Sequence, residues 1–378
     1  MRTILVIPDS FKGTMSSLEV CGIVEGALRA QLDGVRVITR PVADGGEGSV
    51  DAYLAAVGGV KVPVTVTGPL GEPVAGFYGR LEDGTAVIEM AAAAGLPLVT
   101  GSLQPERATT YGVGELIKAA LDAGARRLIV GLGGSATTDL GCGAAAALGV
   151  RFVDEAGVSF VPVSGTLSRI AHVDVSGLDP RVRAAEITVM CDIDNPLYGP
   201  RGAAYIFGPQ KGADPPTVQR LDAGLRHACA VVERDLGVAV ADLPGAGAAG
   251  GMGAGMVAYC GATLQPGIEV VLTAGRFDAV VQECDLVITG EGCLDAQSLA
   301  GKVVVGVARR AAAYNVPVIA VVGDVRDGYE PVYDLGVSAV VSINRLAVPF
   351  AEAKPRARQD LASTIGDLAR TLKLAGWA

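Results

Sequence analysis

Val287-Ile288-Thr289-Gly290-Glu291-Gly292-Cys293-Leu294-Asp295-Ala296-Gln297-Ser298-Leu299-Ala300-Gly301-Lys302 is the stretch on which the reading of this chain turns. The apolar run Leu286-Val287-Ile288 predicts a buried strand of a parallel sheet. Gly290 and Gly292 then permit a tight turn, which sets the carboxylates of Glu291 and Asp295 just beyond the strand's carboxyl end. Ser298 is suited to cap a following helix, and Lys302 falls in that helix's first turns. A cation near a helix start opposes the helix dipole unless an anion is held there, and phosphate is the usual one. Ligands of open α/β sheets bind outside the carboxyl ends of the strands. The same letters also fit an ordinary strand-to-helix turn with solvated charges.

Outward from this stretch the strand–loop–helix rhythm recurs. Residues 4–7 read as a strand, 8–14 as a loop and 17–32 as a helix, with Ser16 and Glu19 at capping-box spacing. A strand at 35–40 leads into a loop, 41–48, that carries Asp44 and Glu47 among three glycines; 49–57 is helical. The character changes at Gly58-Gly59. Segments 60–67, 76–81 and 85–89 alternate or run β-branched between Gly68-Pro69 and Asp83-Gly84 turns, which predicts an antiparallel section. A helix at 112–123, strands at 127–131 and 186–191 and a long helix at 217–236 follow. Helices at 275–284 and 302–314 and a strand at 317–322 restore the first rhythm, and 356–374 reads as an exposed C-terminal helix. The predicted fold class is α/β: a doubly wound, Rossmann-like domain from 1–59 and 270–378, discontinuous in sequence, with a second α/β domain, 60–269, inserted.

Composition sets the outer bounds. With 378 residues, two domains are expected, since single cores stop growing near ~250–300 residues. Abundant glycine (52 residues) and scarce aromatics (4%) favour tight loops and small-residue helix–sheet packing over a β-sandwich. A net charge of −9 argues against nucleic acid as the partner. It leaves room for a phosphorylated small molecule if a metal ion offsets the charge. The seven cysteines are scattered with no CxxC pair, against a zinc site or disulfide framework and for a reducing compartment. The apolar run before Pro8-Asp9 is too short for a signal peptide, and no stretch approaches the ~20 apolar residues of a membrane span. A cytoplasmic protein with no membrane partner is expected.

Only two histidines, His172 and His227, are present, so acid–base work falls to carboxylates or lysine rather than to a Ser-His-Asp triad. Acids at strand ends are plentiful: Asp9, Asp44, Glu47, Asp139, Asp192, Asp194, Glu291, Asp295 and Asp324. If their strands are neighbours the charges converge and repel unless a cation lies among them. Mg²⁺, held by one or two carboxylates plus substrate phosphates, suits such a set best. Taken singly, each acid also fits a cap or a turn. Gly133-Gly134-Ser135-Ala136-Thr137-Thr138-Asp139 places backbone amides and three hydroxyls between a strand and a helix, a phosphate cradle by its physics although no Walker sequence is present. A plain capped helix start is the alternative. Gly245 to Gly250 matches GxGxxG, with Glu269 near the customary spacing. Asp242-Leu243-Pro244 precedes it in place of a β-branched run, so a flexible or close-packed loop is the competing reading.

Six motifs in order resemble the class I glycerate kinases, the glycerate 2-kinase type. They are Pro8-Asp9-Ser10-Phe11-Lys12-Gly13, Ala43-Asp44-Gly45-Gly46-Glu47-Gly48, Ala108-Thr109-Thr110-Tyr111-Gly112, the run from Gly131 to Gly141, Cys191-Asp192-Ile193-Asp194-Asn195-Pro196-Leu197, and Thr289 to Lys302. At Leu140 the chain departs from the glycine expected there. The resemblance implies transfer of the ATP γ-phosphoryl group to D-glycerate with Mg²⁺, 2-phosphoglycerate as product, and two α/β domains with the active site in the interdomain cleft. Phosphoryl transfer needs positioning and charge neutralisation. Gly133, Gly134, Ser135, Thr137 and Thr138 are assigned to ATP phosphates, with Lys302 helping. Glu291 and Asp295 organise Mg²⁺, Asp295 with a catalytic role besides. Asp192 orients or accepts the proton of the glycerate hydroxyl. Ser10 and Lys12 hold the substrate carboxylate, with Asp44 and Glu47 in the same crevice. The roles are interchangeable among the acids. The rivals are a kinase of another small hydroxy acid, 3-kinase regiochemistry, an NAD-dependent dehydrogenase built on 245–250, and a non-catalytic binding protein.

Overall fold

The computed structural model describes residues 1–42, 45–46, 48–296 and 298–377. Its strands are β1 (Thr3–Pro8), β2 (Arg36–Thr39), β3 (Gly59–Thr67), β4 (Pro73–Leu81), β5 (Ala86–Glu89), β6 (Arg127–Gly131), β7 (Arg151–Val153), β8 (Ser159–Phe160), β9 (His172–Asp174), β10 (Glu186–Met190), β11 (Thr263–Gln265), β12 (Leu286–Leu294), β13 (Val318–Val325) and β14 (Ala339–Ser342). The chain divides into two compact units. One comprises Met1–Asp44, Asp51–Gly58 and Pro266–Ala378, and the other Gly45–Val50 and Gly59–Gln265. Among the described residues no helix is long and apolar enough to cross a membrane.

The first unit is built on a five-stranded parallel sheet in the order β14-β13-β12-β1-β2. Strand β1 lies beside β12 in register, Val6 opposite Ile288 and Pro8 opposite Gly290. Both strands carry apolar runs, Ile4–Ile7 and Leu286–Ile288, because both faces of a parallel sheet are covered. Ile4, Val6 and Ile288 pack with Val20, Val24 and Leu28 of helix Ser17–Arg29 and with Leu361, Ile365 and Ala369 of helix Ala357–Leu374. The C-terminal helix is therefore not an exposed tail. Its apolar residues recur at helical spacing and one face is core, each fully buried Leu or Ile contributing about 1.5–3 kcal/mol. Helix Ser17–Arg29 starts with the capping box: Glu19 N donates to Ser16 Oγ at 3.2 Å, and Ser16 N donates to the Glu19 carboxylate at 2.9 Å.

Strand β12 runs further than the sequence pattern predicts. It continues through Glu291, which pairs with Val322, to Leu294 opposite Val325. Gly290 makes no turn. A Cβ there would lie 2.0 Å from the Val321 carbonyl oxygen. Glycine serves at this position to let two backbones approach, and the strand passes straight through it.

The second unit carries a six-stranded mixed sheet, β11-β10-β6-β5-β4-β3, and a small three-stranded sheet, β8-β7-β9. Strands β11, β10, β6 and β5 are parallel; β4 and β3 form the antiparallel section. The Asp83-Gly84 turn joins β4 to β5, with Thr85 N donating to Asp83 Oδ1 at 2.9 Å. Helices Tyr111–Asp122, Cys142–Ala147 and Pro215–Leu236 contribute Leu116, Ile117, Ala144, Leu221 and Leu225 to one core with Ile88, Leu128 and Val130.

The glycine- and alanine-rich segment is neither a loop nor a dinucleotide fingerprint. It forms helix Ala248–Cys260, broken near its start by left-handed residues Ala249, Gly250 and Gly251. A Cβ on Gly250 would lie 2.0 Å from the Thr137 carbonyl oxygen, and one on Gly255 would lie 2.1 Å from that of Leu140. The glycines let this helix lie directly on the backbone of 137–140. No strand leads into Gly245, so the context that a GxGxxG cofactor site requires is missing.

Replacing Gly290 by Ala is expected to cost roughly 1–3 kcal/mol of stability, the usual range for forcing extra atoms into a packed interior. The measurement is the urea midpoint; an unchanged midpoint would mean that β12 and β13 do not approach this closely.

Candidate active site

In the first unit the parallel pairing of β1 and β12 sets two loops side by side. Asp9 N donates to the Gly290 carbonyl at 2.8 Å, and Ser10 N donates to Asp9 Oδ1 at 2.6 Å. Asp9 is buried, Ser10 half-buried and Lys12 exposed. The turn carrying Lys12 is closed by Phe11 N donating to the Met15 carbonyl at 2.9 Å, with Phe11 in the core beneath.

Glu291 projects from the last turns of β12 and is 6% exposed. Its Oε1 is buried with no hydrogen-bond partner. Burial pushes its carboxyl up, while Ser298, Lys302 and Lys12 draw it back and Asp295 opposes them. Four side chains of the same unit thus act on Glu291. Half-buried Asp295 and fully buried Ser298 hold each other: Ser298 N donates to Asp295 Oδ1 at 3.3 Å and Asp295 N donates to Ser298 Oγ at 3.2 Å. Ser298 therefore closes the Asp295 turn and opens a short 3-10 segment, Ser298–Ala300, rather than capping the long helix. Lys302 occupies the cap position itself, just before helix Val303–Ala312, and is exposed. Asp295, Ala296, Arg326 and Asp327 line a cavity of about 490 Å³. Asp324 is exposed and caps the amide of Val325.

In the second unit Met190 at the end of β10 lies opposite Gly131 at the end of β6. The segments 133–139 and 191–197 therefore leave the sheet from adjacent carboxyl ends. Gly134 is the exposed residue of the first, with φ +74°. The amides of Gly133, Ala136 and Thr138 are engaged inside the fold, by the carbonyls of Gly45 and Ala94 and by Ser164 Oγ. Ser135, Thr137 and Thr138 are buried. The loop is thus far less open than a nest of amides and hydroxyls read from the sequence.

Asp139 does not join the converging acids. It is fully buried, and its carboxylate accepts from Thr110 N and Oγ1 at 2.8 and 2.9 Å and from Gly141 N and Gly143 N at 3.2 Å. Desolvation pushes its carboxyl up against those donors. Thr110, part of the 108–112 motif, is there to hold it. Leu140 follows at φ +56°, the region that glycine enters without strain. That conformation costs a side chain about 1–2 kcal/mol, which burial of the Leu140 side chain offsets.

Asp192 is exposed one residue beyond Cys191, and Asp194 pairs with Arg201 at 3.4 Å. Asp44 and Glu47 lie outside the described residues. Among the described residues no group of three or more His, Cys, Asp or Glu side chains could hold a metal by itself. The pair Glu291 and Asp295, with one carboxylate oxygen of Glu291 unsatisfied, fits an ion that takes its remaining ligands from water and phosphate. Neither histidine enters: His227 Nε2 lies 2.8 Å from the Ile170 carbonyl, and His172 stands beside Asp235 at 3.6 Å.

Two residues escaped sequence reasoning. Glu89, at the end of β5, is 2% exposed and accepts from Val50 N at 2.5 Å and Gly48 N at 3.3 Å. Lys211, also 2% exposed, donates to Ser135 Oγ and to the Thr137 carbonyl. Glu89 was legible as one more acid at a strand end. Nothing in Gln210-Lys211-Gly212 signals a buried lysine.

The sequence model of the glycerate kinase family matches residues 4–373. A glycerate kinase of Bacillus subtilis is 47% identical over 374 residues, 98% of each chain. A glycerate 2-kinase of Escherichia coli K12 is 44% identical over 373 residues, again 98% of each. A crystal structure assigned as glycerate kinase 2 of Salmonella typhimurium LT2 superposes with a TM-score of 0.89 at 44% identity, covering 100% of both chains. The α/β architecture, the motifs at the strand ends and a match over almost the whole length agree: this chain belongs to the glycerate kinase family.

Proposed function

We propose that the chain transfers the γ-phosphoryl group of ATP to the 2-hydroxyl of D-glycerate, with Mg²⁺, in the cytoplasm. The observation that carries the reading is the full-length likeness to glycerate kinases, one of them a glycerate 2-kinase. A compartment rich in ATP and reduced thiols suits the seven free cysteines.

Glu291 and Asp295 are the residues that would hold Mg²⁺, and the unsatisfied Glu291 oxygen supports that role. When bound, the ion neutralises charge on the phosphates. Exposed Gly134, with the backbone of Ser135 beside it, is best placed to meet ATP phosphates, since Gly133 and Thr138 have engaged amides and the Ser135 and Thr137 side chains are enclosed. Lys302, at a helix start, adds a positive charge suited to a phosphate. Asp192 accepts a hydrogen bond from the glycerate hydroxyl and takes its proton as the oxygen attacks. The segment that leaves β10 presents this carboxylate at the surface, where a small substrate can reach it. Ser10 and Lys12 hold the glycerate carboxylate through a hydroxyl and an ammonium. Asp44 and Glu47 belong to the same proposed substrate set.

Phosphorus NMR of the product formed from D-glycerate and ATP is expected to show 2-phosphoglycerate; 3-phosphoglycerate would change the regiochemistry, and no phosphoester would end the proposal. Asp192→Asn should lower kcat by about 10²–10⁴-fold, the usual contribution of a positioned base, with no loss of thermal stability. Near-normal turnover in a coupled ADP assay would take the proton-accepting role from Asp192. Lys12→Ala should raise KM for glycerate about tenfold and leave kcat close to the parent's, as loss of uniform binding does. An unchanged KM would reassign the carboxylate site.

A further inference from the structure

Lys211 ends a short 3-10 turn, Pro209–Lys211, and its side chain is closed off from solvent, the whole residue being 2% exposed. Lysine is almost never buried this fully without a partner. Here the ammonium donates to the Ser135 hydroxyl at 2.9 Å and to the Thr137 carbonyl at 2.6 Å. In the same loop the Thr137 hydroxyl is buried with no partner. The far end of the loop is clamped by Asp139 through four donors from Thr110, Gly141 and Gly143. Helix Ala248–Cys260 covers the backbone of 137–140. Exposed Gly134 is thus the open end of a loop pinned on every other side, and Lys211 stands one hydroxyl away from it.

We propose that Lys211 is a positioning residue for phosphoryl transfer: it fixes Ser135 and Thr137 so that the Gly134–Ser135 backbone can grip the nucleotide's phosphates, and it ties that grip to its own proton. The proposal rests on the reading of 133–139 as the phosphate loop. Burial drives the Lys211 ammonium down to about 7, and the Asp139 charge acts the other way. Asp139 is the charge that acts on it among the described residues. Asp214, three positions on, caps helix Pro215–Leu236 through Thr217 N and is held low by Thr217 and Arg220.

A polyanion arriving at Gly134 favours the charged form of Lys211. Above about 7 the empty protein holds the lysine neutral, so binding takes up a proton, and affinity falls as pH rises further. Stability moves in the opposite sense. Between about 7 and the ordinary 10.5 the unfolded chain binds the proton and the folded chain does not, so the fold gains stability as pH rises. A lysine with only a structural role would move stability and leave nucleotide binding alone.

The test pairs calorimetry with kinetics. A non-hydrolysable ATP analogue with Mg²⁺ is titrated into the wild-type protein at about pH 8, in two buffers of different ionisation heat, to count protons. KM for ATP and for glycerate is then measured for Lys211→Met, Lys211→Arg and Gly134→Ala. Proton uptake by the wild type, its loss in Lys211→Met, and a rise of about tenfold in KM for ATP with KM for glycerate unchanged are the expected results. Lys211→Arg, which keeps the charge without the titration, should recover part of the KM and take up no proton. No uptake by the wild type overturns the proposal, and this arm stands even if Lys211→Met does not fold. An unchanged KM for ATP in Lys211→Met alongside a raised one in Gly134→Ala removes Lys211 and leaves the loop reading intact. If Gly134→Ala also leaves KM for ATP unchanged, the loop reading falls and the proposal with it.

Discussion

Asp139 carries a carboxylate with no exposure at all, and the second unit's candidate site takes its shape from that fact. Taking an ion out of water costs several kcal/mol, and only hydrogen bonds to the charge offset it. Four donors do so, two from Thr110 and one each from Gly141 and Gly143. They fasten the entry of helix Tyr111–Asp122 and the start of helix Cys142–Ala147 to a single side chain. The loop that leaves β6 is thus fastened at its far end through Asp139. For the phosphate site proposed above, such an anchor would order the far end of the loop ahead of the ligand.

The first unit reaches the same end by pairing rather than by burial of charge. Residues 282 positions apart are joined where Thr289 Oγ1 donates to the Ile7 carbonyl at 2.9 Å. The parallel register of β1 and β12 then sets Ser10 and Lys12 on one loop near Glu291 and Asp295 on the next. Glycine at 290 lets the strand pass Val321 at contact distance and deliver Glu291 into a buried position with one oxygen unsatisfied. A buried, unsatisfied carboxylate is costly unless a ligand completes it. That cost is the physical reason for treating Glu291 as functional.

Glycine carries two meanings in this chain. In sequence, Gly290, Gly292 and the run 245–255 fit a turn or loop, because glycine is a favoured turn residue. Each instead marks a place where one backbone lies against another, at Val321 for Gly290 and at Thr137 and Leu140 for Gly250 and Gly255. Close approach leaves no mark in the local sequence beyond the glycine itself. The same holds for Asp139: an acid at a strand end looks alike in sequence whether it faces solvent, a ligand or a ring of amides. Lys211 had no legible signal at all, since its burial depends on segments more than seventy positions away.

Periodicity and order, which are local, determined much of this protein before any coordinates. Apolar runs of strand length alternating with amphipathic helices specified α/β layers, and six motifs in sequence order specified the family. The capping box at Ser16 and Glu19 and the turn at Asp83-Gly84 were likewise written in a few neighbouring residues. Tertiary structure alone decided which polar groups are buried, because burial is set by what the rest of the chain lays over a residue. It turned Asp139 into an anchor, Ser298 into the partner of Asp295, and Lys211 into a strut beneath Ser135.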